Sequence, residues 1–148
     1  MAKKFVYRMQ NILNIKQKLE TQAQMAFALA NQAYMAEQEK LQGYLVRRVG
    51  YERRLKELMS GAIDVQSVTN ARADLNAMKT IVRRQMMEVH KAELVLEDAR
   101  RALNEVMQER KVQEKLREKA FDEFKHELAV EEMKEIDELV SYTFNNHA

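Results

Sequence analysis

The two residues that come closest to a known chemical pattern are Glu123 and His126, in the stretch EFKH. A glutamate three residues before a histidine is the spacing that supplies metal ligands in di-iron helical bundles. Such a centre needs the same motif on another helix, and His90 has no glutamate at the matching position. We therefore interpret His126 as a solvated histidine and expect no metal site.

Signals for catalysis are equally weak. The chain has no cysteine, which excludes a thiolate metal site, a cysteine nucleophile and a disulfide framework, and agrees with a reducing cytoplasm. It has no glycine-rich phosphate loop and no Ser-His-Asp set, and a pair of helices encloses no pocket that could desolvate paired carboxylates. We expect a protein that is not an enzyme and that binds no cofactor.

The stretch GYLVRRVGYERRL, residues 43–55, has the composition of a binding surface. Its two Gly-Tyr pairs lie one heptad apart, and each glycine costs a helix interior up to about 1 kcal/mol relative to alanine. Tyr44 and Tyr51 either cover the edge of a helix-helix seam with their hydroxyls in water, or form a basic, aromatic patch with Arg47 and Arg48. Further along the chain, basic residues that would strengthen the patch are Arg72, Lys79, Arg83 and Arg84. The sequence leaves both interpretations open.

Long helices must position these residues. The 148 residues include no proline and three glycines, 32% are charged, and residue types with high helix propensity dominate. The opening MAKKFVYRMQ has no apolar run after its basic residues, so we expect no signal peptide. No stretch approaches the ~20 apolar residues of a membrane span.

Charge is distributed unevenly along the chain, although the formal net charge is only +2. Residues 1–20 carry five basic residues and one acidic residue, and residues 47–91 carry ten basic and five acidic residues. Residues 122–148 carry two basic and eight acidic residues, a net charge of −6. Blocks of this kind are usually solvated helix faces, unless geometry places one of them against a partner.

Apolar residues repeat with alternating steps of three and four, the heptad spacing of a left-handed coiled coil. The predicted seam of the second arm is Leu75, Met78, Val82, Gln85, Val89, Ala92, Leu96, Ala99, Leu103 and Val106. The predicted seam of the first arm is Ile12, Ile15, Leu19, Gln22, Ala26, Leu29, Ala33 and Ala36, and the pattern resumes at Tyr44, Arg48, Tyr51, Leu55 and Leu58.

One short stretch, LMSGAIDV at residues 58–65, lets the chain fold back on itself. Gly61 can end the first helix, and Asp64 or Ser67 can cap the second. We predict an all-α fold, a long antiparallel coiled-coil hairpin in which facing residues have numbers summing to about 125. The predicted single domain covers residues 1–148, with helix one at about 5–59, the turn at about 60–66 and helix two at about 67–142.

This pairing leaves helix two longer than helix one, because Phe5 would face Ala120 and later residues would have no partner within the chain. The predicted protruding C-terminal helix carries an apolar stripe among acidic residues: Phe121, Phe124, Leu128, Met133, Ile136, Leu139 and Val140. A single helix cannot bury its own stripe, so we expect a partner there, either a second copy of the chain or another protein.

Three stretches of the sequence resemble one known family. FVYRMQNILNIKQKLE near the start, NARADLNAMKTIVRRQ after the turn and EIDELVSYTFNN near the end are similar to the FliJ proteins of the bacterial flagellar type III export apparatus. The resemblance implies a coiled coil similar to the central stalk of rotary ATP synthases. It further implies that the open end of this coiled coil inserts into the hexameric ring of the export ATPase. It also implies that the tip contacts the membrane-bound export gate protein, and that export chaperones bind.

Carried over residue by residue, the resemblance assigns contact with the cytoplasmic part of the gate to Tyr44, Tyr51, Leu75, Met78 and Val82, and we add Arg48, which lies between the two tyrosines. It assigns ATPase binding to the open end, where the stripe from Phe121 to Val140 lies. Arg47 and Arg48 depart from the polar or aromatic residues that other members often carry. The implied location is the cytoplasm at the inner face of the membrane, with no nucleic acid bound and no direct membrane insertion. The alternatives are a virulence-type secretion stalk, a self-associating structural coiled coil and a basic coiled coil that binds nucleic acid.

Overall fold

The chain folds into two long helices that pack against each other. A computed structural model describes residues 3–147, with the backbone alone for His147. Helix α1 covers Gln10–Leu58, helix α2 covers Val65–His147, and the described range contains no strand. The predicted all-α class with two long packed helices is confirmed.

Capping interactions fix the turn between the helices. Gly61 has a φ of 87°, a left-handed conformation that glycine adopts without a steric penalty, so it ends α1 as predicted. The carboxylate of Asp64 accepts hydrogen bonds from the Gln66 backbone N–H at 3.2 Å and from the Ser67 hydroxyl at 2.7 Å. Asp64 is therefore the N-cap of α2, which begins at Val65, two residues earlier than predicted.

Helix α1 begins at Gln10, five residues later than the predicted start. Residues 3–7 have no regular secondary structure, and the Gln10 N–H donates to the Tyr7 carbonyl at 3.1 Å. Nothing in the local sequence breaks a helix here. Side-chain contacts with α2, described below, hold the segment in a non-helical conformation.

Contacts divide the chain into two compact units. The turn unit is Ala23–Leu103, and the terminal unit combines Met1–Gln22 with Asn104–Ala148. Each unit contains a stretch of both helices, and the helices run antiparallel within each, as contacts between Phe27 and Arg100 and between Lys16 and Glu109 show. The pairing sums of 127 and 125 agree with the predicted register of about 125.

The turn unit has an apolar core supplied mostly by α2. Its buried residues are Ala30, Ala71, Leu75, Met78, Val82, Gln85, Val89 and Leu96. Every predicted seam position of α2 from Leu75 to Val106 is buried or half-buried, so that prediction is confirmed. The α1 positions nearest the turn, from Tyr44 to Leu58, are half-buried and also agree with the predicted seam.

Further from the turn, the predicted seam of α1 is wrong by one residue. All predicted seam positions from Ile12 to Ala36 are exposed, and Leu29, for example, is 66% exposed. The positions that face α2 are Leu13, Lys16, Glu20, Ala23, Phe27, Ala30, Tyr34 and Glu37. A shift of one residue rotates a helix by about 100°. Two charged residues of α1 that face α2, Lys16 and Glu20, form ion pairs with charged residues of α2. A count of apolar residues along α1 cannot detect these pairs.

The terminal unit contains these ion pairs. Leu13 is its one buried residue among those described. Lys16 forms an ion pair with Glu109 at 2.7 Å, and Glu20 pairs with Arg110, which also binds Glu114 at 2.7 Å.

Candidate partner-binding surfaces

Tyr44, Arg47, Arg48 and Tyr51 lie near the turn, on α1, and together they are called the tip patch. Tyr44, Arg48 and Tyr51 are half-buried at the seam of the turn unit, so one edge of each side chain reaches solvent. The Arg47 guanidinium lies 5.8 Å from the centroid of the Tyr44 ring, in the range of a cation–π contact. The Nε atom of Arg48 is shielded from solvent and lies 3.5 Å from a Glu52 carboxylate oxygen, which is an ion pair without a well-formed hydrogen bond.

Three residues predicted to contact the gate directly are core residues instead. Leu75, Met78 and Val82 are only 7%, 6% and 2% exposed. They occupy the seam of α2, where α1 covers them, so the prediction that they present a surface is corrected. They support the tip patch from beneath.

The two helical glycines of the patch have no packing role in the free chain. A Cβ atom added at Gly43 or Gly50 would have no non-local atom within 4 Å. Both positions are exposed. Their cost in helix stability is therefore not offset by any contact within the chain.

A polar layer interrupts the apolar seam beside the patch. The Gln85 side-chain amide donates to the Glu37 backbone carbonyl at 2.9 Å and to the Glu37 carboxylate at 2.6 Å. These contacts favour the ionised carboxylate, so the hydrogen bond from Gln85, helped by Lys40, lowers the pKa of Glu37 below its ordinary value. The prediction set Gln85 against Lys40, and the observed partner lies almost one turn away.

In the terminal unit, the N-terminal segment packs on α2. The Phe5 ring lies 5.0 Å from the Phe121 ring in an edge-to-face arrangement, and 5.6 Å from the Phe124 ring. The Arg117 guanidinium lies 5.4 Å from the Phe5 ring, and the Lys125 amine lies 4.7 Å from the Phe121 ring. Aromatic contacts and two cations thus anchor a segment that has no helical hydrogen bonds.

Polar contacts secure both ends of this segment. The Lys3 amine binds both oxygens of the Glu131 carboxylate, at 2.7 and 2.8 Å, and this hydrogen bond raises the pKa of Lys3. The Tyr7 hydroxyl donates to the Gln113 side chain at 3.1 Å. The segment therefore extends along α2 from Gln113 to Glu131.

This contact corrects the predicted start of the unpaired stripe. Phe121, Phe124 and Leu128 are half-buried, because the N-terminal segment packs against this part of α2. A residue outside a helix can advance up to about 3.3 Å, whereas a helical residue advances 1.5 Å, so residues 3–7 can reach further along α2 than the helical pairing assumed. The exposed C-terminal stripe is Met133, Ile136, Leu139, Val140 and Phe144.

Acidic residues surround the exposed C-terminal stripe. Glu132, Glu135, Asp137 and Glu138 alternate with it, and Lys134 is the one basic residue in that stretch. Like charges along one helix discourage side-by-side pairing of parallel copies and suit a basic surface. The stripe is apolar enough, and its border acidic enough, to define the chemistry of a partner.

The structure also shows an apolar face that sequence reasoning assigned to the core. Ile12, Ile15 and Leu19 of the terminal unit are exposed, since Leu13, Lys16 and Glu20 face α2 in their place. The signal that could have found this arrangement is charge complementarity: Lys16 matches Glu109 in the predicted register, and Glu20 pairs with Arg110, five residues from its predicted position.

The described residues offer no site for metal chemistry. Among the described side chains, residues 3–146, no three His, Asp or Glu residues come together as ligands. Over the same range, no helix is long and apolar enough to cross a membrane.

Comparison with known proteins agrees with the helical architecture. The structure is similar to that of CT670 from Chlamydia trachomatis, described as a YscO homologue, with a TM-score of 0.75 and 22% sequence identity over 97% of this chain and 98% of the other. No curated protein sequence matches the chain.

The two long packed helices place the chain in the class of helical coiled-coil proteins that the CT670 structure represents. The family described as "Flagellar FliJ protein" matches residues 4–148. The chain belongs to this family.

Proposed function

We propose that this protein is the stalk of a flagellar type III export apparatus, with the terminal unit bound to the hexameric export ATPase and the tip patch bound to the export gate. The observation that carries the proposal is the exposed C-terminal stripe, whose four large aliphatic side chains are each more than half exposed. Family membership gives the flagellar setting. The stalk would work in the cytoplasm, at the inner face of the membrane.

Hydrophobic burial would drive the contact with the ATPase. Full burial of a Met, Ile, Leu or Val side chain is worth roughly 1.5 to 3 kcal/mol before the costs of association. The acidic border of the stripe would favour a ring whose inner surface is basic, and would speed encounter with it. A ring that grips the helix in this way can pass nucleotide-dependent changes to the stalk.

The tip patch would supply the contact with the gate. Tyrosine and arginine are the residue types most enriched at energetically dominant positions of interfaces. Tyr44, Arg48 and Tyr51 each keep one edge in solvent, and Gly43 and Gly50 leave room for a partner's backbone to approach α1. Unladen export chaperones are a further ligand that this stalk would escort.

A matched pair of variants tests the ATPase contact. Ile136→Ser, Leu139→Ser and Val140→Ser together should abolish the protein's stimulation of ATPase ring assembly, measured by light scattering and by hydrolysis rate. The control triple, Met86→Ser, Met87→Ser and Val95→Ser, changes equally exposed apolar residues of the turn unit and should stimulate normally.

Unchanged stimulation by the C-terminal triple would contradict the proposal. If that triple instead lowered the mass of the protein in sedimentation at high concentration, the stripe would be a self-association surface.

The double variant Tyr44→Ala and Tyr51→Ala tests the contact of the tip patch with the gate. It should stay helical, stimulate the ATPase and lose binding to the cytoplasmic part of the gate.

A further inference from the structure

The turn between the helices exposes three large aliphatic side chains. Met59, Ile63 and Val65 are 49%, 58% and 74% exposed. We call these three residues the apolar apex. They lie at the end of the turn unit, beyond the last residues of the seam, so neither helix can cover them.

Hydrogen bonds hold the apolar apex in this outward arrangement. The Ser60 hydroxyl donates to the Glu57 carbonyl at 2.8 Å, and the Met59 N–H donates to the Leu55 carbonyl at 3.1 Å. On the other side, Asp64 caps α2, and the turn requires a left-handed conformation that Gly61 supplies. The turn is thus well formed: Ile63 and Val65 lie mostly in solvent, and Met59 lies beside Leu55 and Leu75 at the edge of the seam.

Basic side chains surround the apolar apex one to two helical turns behind it. Arg53, Arg54 and Lys56 precede it in α1, and Arg72 follows it in α2. We call these four residues the basic collar. Within residues 3–147, no ion pair engages any of them. At 1.5 Å per residue, Arg53 and Arg72 lie about 10 Å along the helices from the apex.

Acidic residues near the apex are fewer and mostly engaged. Asp64 is occupied by its capping hydrogen bonds, and Glu52 lies 3.5 Å from Arg48. Only Glu57 remains as an acidic side chain between the basic collar and the apex without a described partner.

We infer that the apolar apex and the basic collar bind the surface of an anionic lipid bilayer, end-on, in addition to the protein contacts proposed above. Apolar side chains of surface-bound proteins penetrate about 5–10 Å into the boundary between headgroups and acyl chains. The basic collar lies at the depth where it would meet the phosphate groups, while the apex enters the apolar layer. The contact is interfacial and involves no membrane-spanning segment.

The arrangement fits a lipid surface better than a protein groove. The apex is convex, and the basic collar has residues on both helices. A surface that approaches along the helix direction can therefore contact all four basic side chains at once. Each Lys or Arg near an anionic surface strengthens binding about fivefold, and the effect is screened within a Debye length. A membrane-bound gate beside the tip patch would bring the same bilayer within reach.

Flotation with vesicles tests this inference. The full chain should float with phosphatidylcholine–phosphatidylglycerol vesicles, and far less with phosphatidylcholine alone or at high salt. Met59→Ser, Ile63→Ser and Val65→Ser together should lower binding at least about tenfold. Arg53→Gln, Arg54→Gln and Lys56→Gln should lower it about fivefold per residue removed.

A second measurement separates insertion from simple charge attraction. The chain has no tryptophan, so Ile63→Trp introduces a unique fluorophore at the apex. Its emission should shift to shorter wavelength on addition of anionic vesicles, whereas that of the control Met87→Trp, elsewhere in the turn unit, should not. Binding that is equal for neutral vesicles, unchanged in the serine triple, or without a shift at position 63 would overturn the inference. The gate-binding variant at Tyr44 and Tyr51 should bind vesicles normally, so failure of the two proposals can be distinguished.

Discussion

The turn unit and the terminal unit use the same two helices but are held together by different interactions. Eight of the nine buried residues among those described lie in the turn unit, and all but Gln85 are apolar. The terminal unit has Leu13 as its buried residue, together with cross-helix ion pairs and an aromatic cluster around Phe5.

This difference separates a unit held together by apolar burial from a unit held together by polar and aromatic contacts, and the second is the unit for which we propose the ATPase contact. An apolar seam is insensitive to salt and loses much free energy when opened. Ion pairs and a non-helical segment on α2 can be exchanged for contacts with a partner at lower cost. The terminal unit also carries the exposed C-terminal stripe, whose apolar side chains are not covered by α1.

The largest expected effect tests the apolar seam of the turn unit. Leu96→Ala should lower the free energy of unfolding by about 2–5 kcal/mol, because Leu96 is buried. Leu29→Ala is the matched control and should change it by less than about 0.5 kcal/mol, because Leu29 is exposed. Urea denaturation followed by circular dichroism measures both, and equal losses would restore the predicted seam of α1.

A smaller effect is expected in the terminal unit. Phe5→Ala removes two aromatic contacts, each worth about 0.5–1.5 kcal/mol, and should lower the stability of this unit by about 1–2 kcal/mol. The neighbouring Val6 is exposed, so Val6→Ala should have little effect on the same thermal unfolding curve. No loss in Phe5→Ala would mean that the segment contributes nothing to the unit.

Replacing a glycine beside the tip patch should raise the stability of the turn unit. Gly50→Ala should stabilise the turn unit by about 0.5–1 kcal/mol, since the added methyl group meets no atom and alanine is the better helix former. If glycine is present for the close approach of a partner, the same variant should bind the gate less tightly. A Gly50→Ala protein that is less stable than the parent would contradict the observed open space.

The smallest effect concerns pH. The pKa of Glu37 is lowered in the folded state, so its contribution is present above its ordinary pKa near 4.5 and is lost as the pH falls through the lower folded value. Melting temperature should therefore decrease on acidification below about pH 4.5. Glu37→Gln removes this titration, and its melting curve should depend less on pH over the same interval.

The sequence predicted α2 better than α1, for a physical reason. Along α2 the buried positions are the apolar ones, so counting steps of three and four was sufficient. Along α1 the apolar residues Ile12, Ile15 and Leu19 are exposed, while Lys16 and Glu20 face α2. Their burial depends on partners about 90 residues away, which a local pattern does not contain.

The candidate surfaces were predicted with similar unevenness. Tyr44 and Tyr51 lie at the seam, where heptad spacing placed them, and the predicted stripe residues from Met133 to Val140 are exposed. The partial covering of Phe121, Phe124 and Leu128 was missed, because no local signal shows that residues 3–7 leave the helix. Tertiary contacts of Phe5 override the helix propensity of that segment.

Hydrogen exchange with and without the export ATPase tests most directly whether the turn unit provides stability and the terminal unit provides the ATPase contact. In the free protein, amides of residues 75–99 should exchange slowest, and those of residues 133–147 should exchange fastest within α2. Addition of the ATPase should protect residues 133–144 strongly and leave the turn unit unchanged. Protection confined to the turn unit, or slow exchange of residues 133–144 before the ATPase is added, would contradict this account.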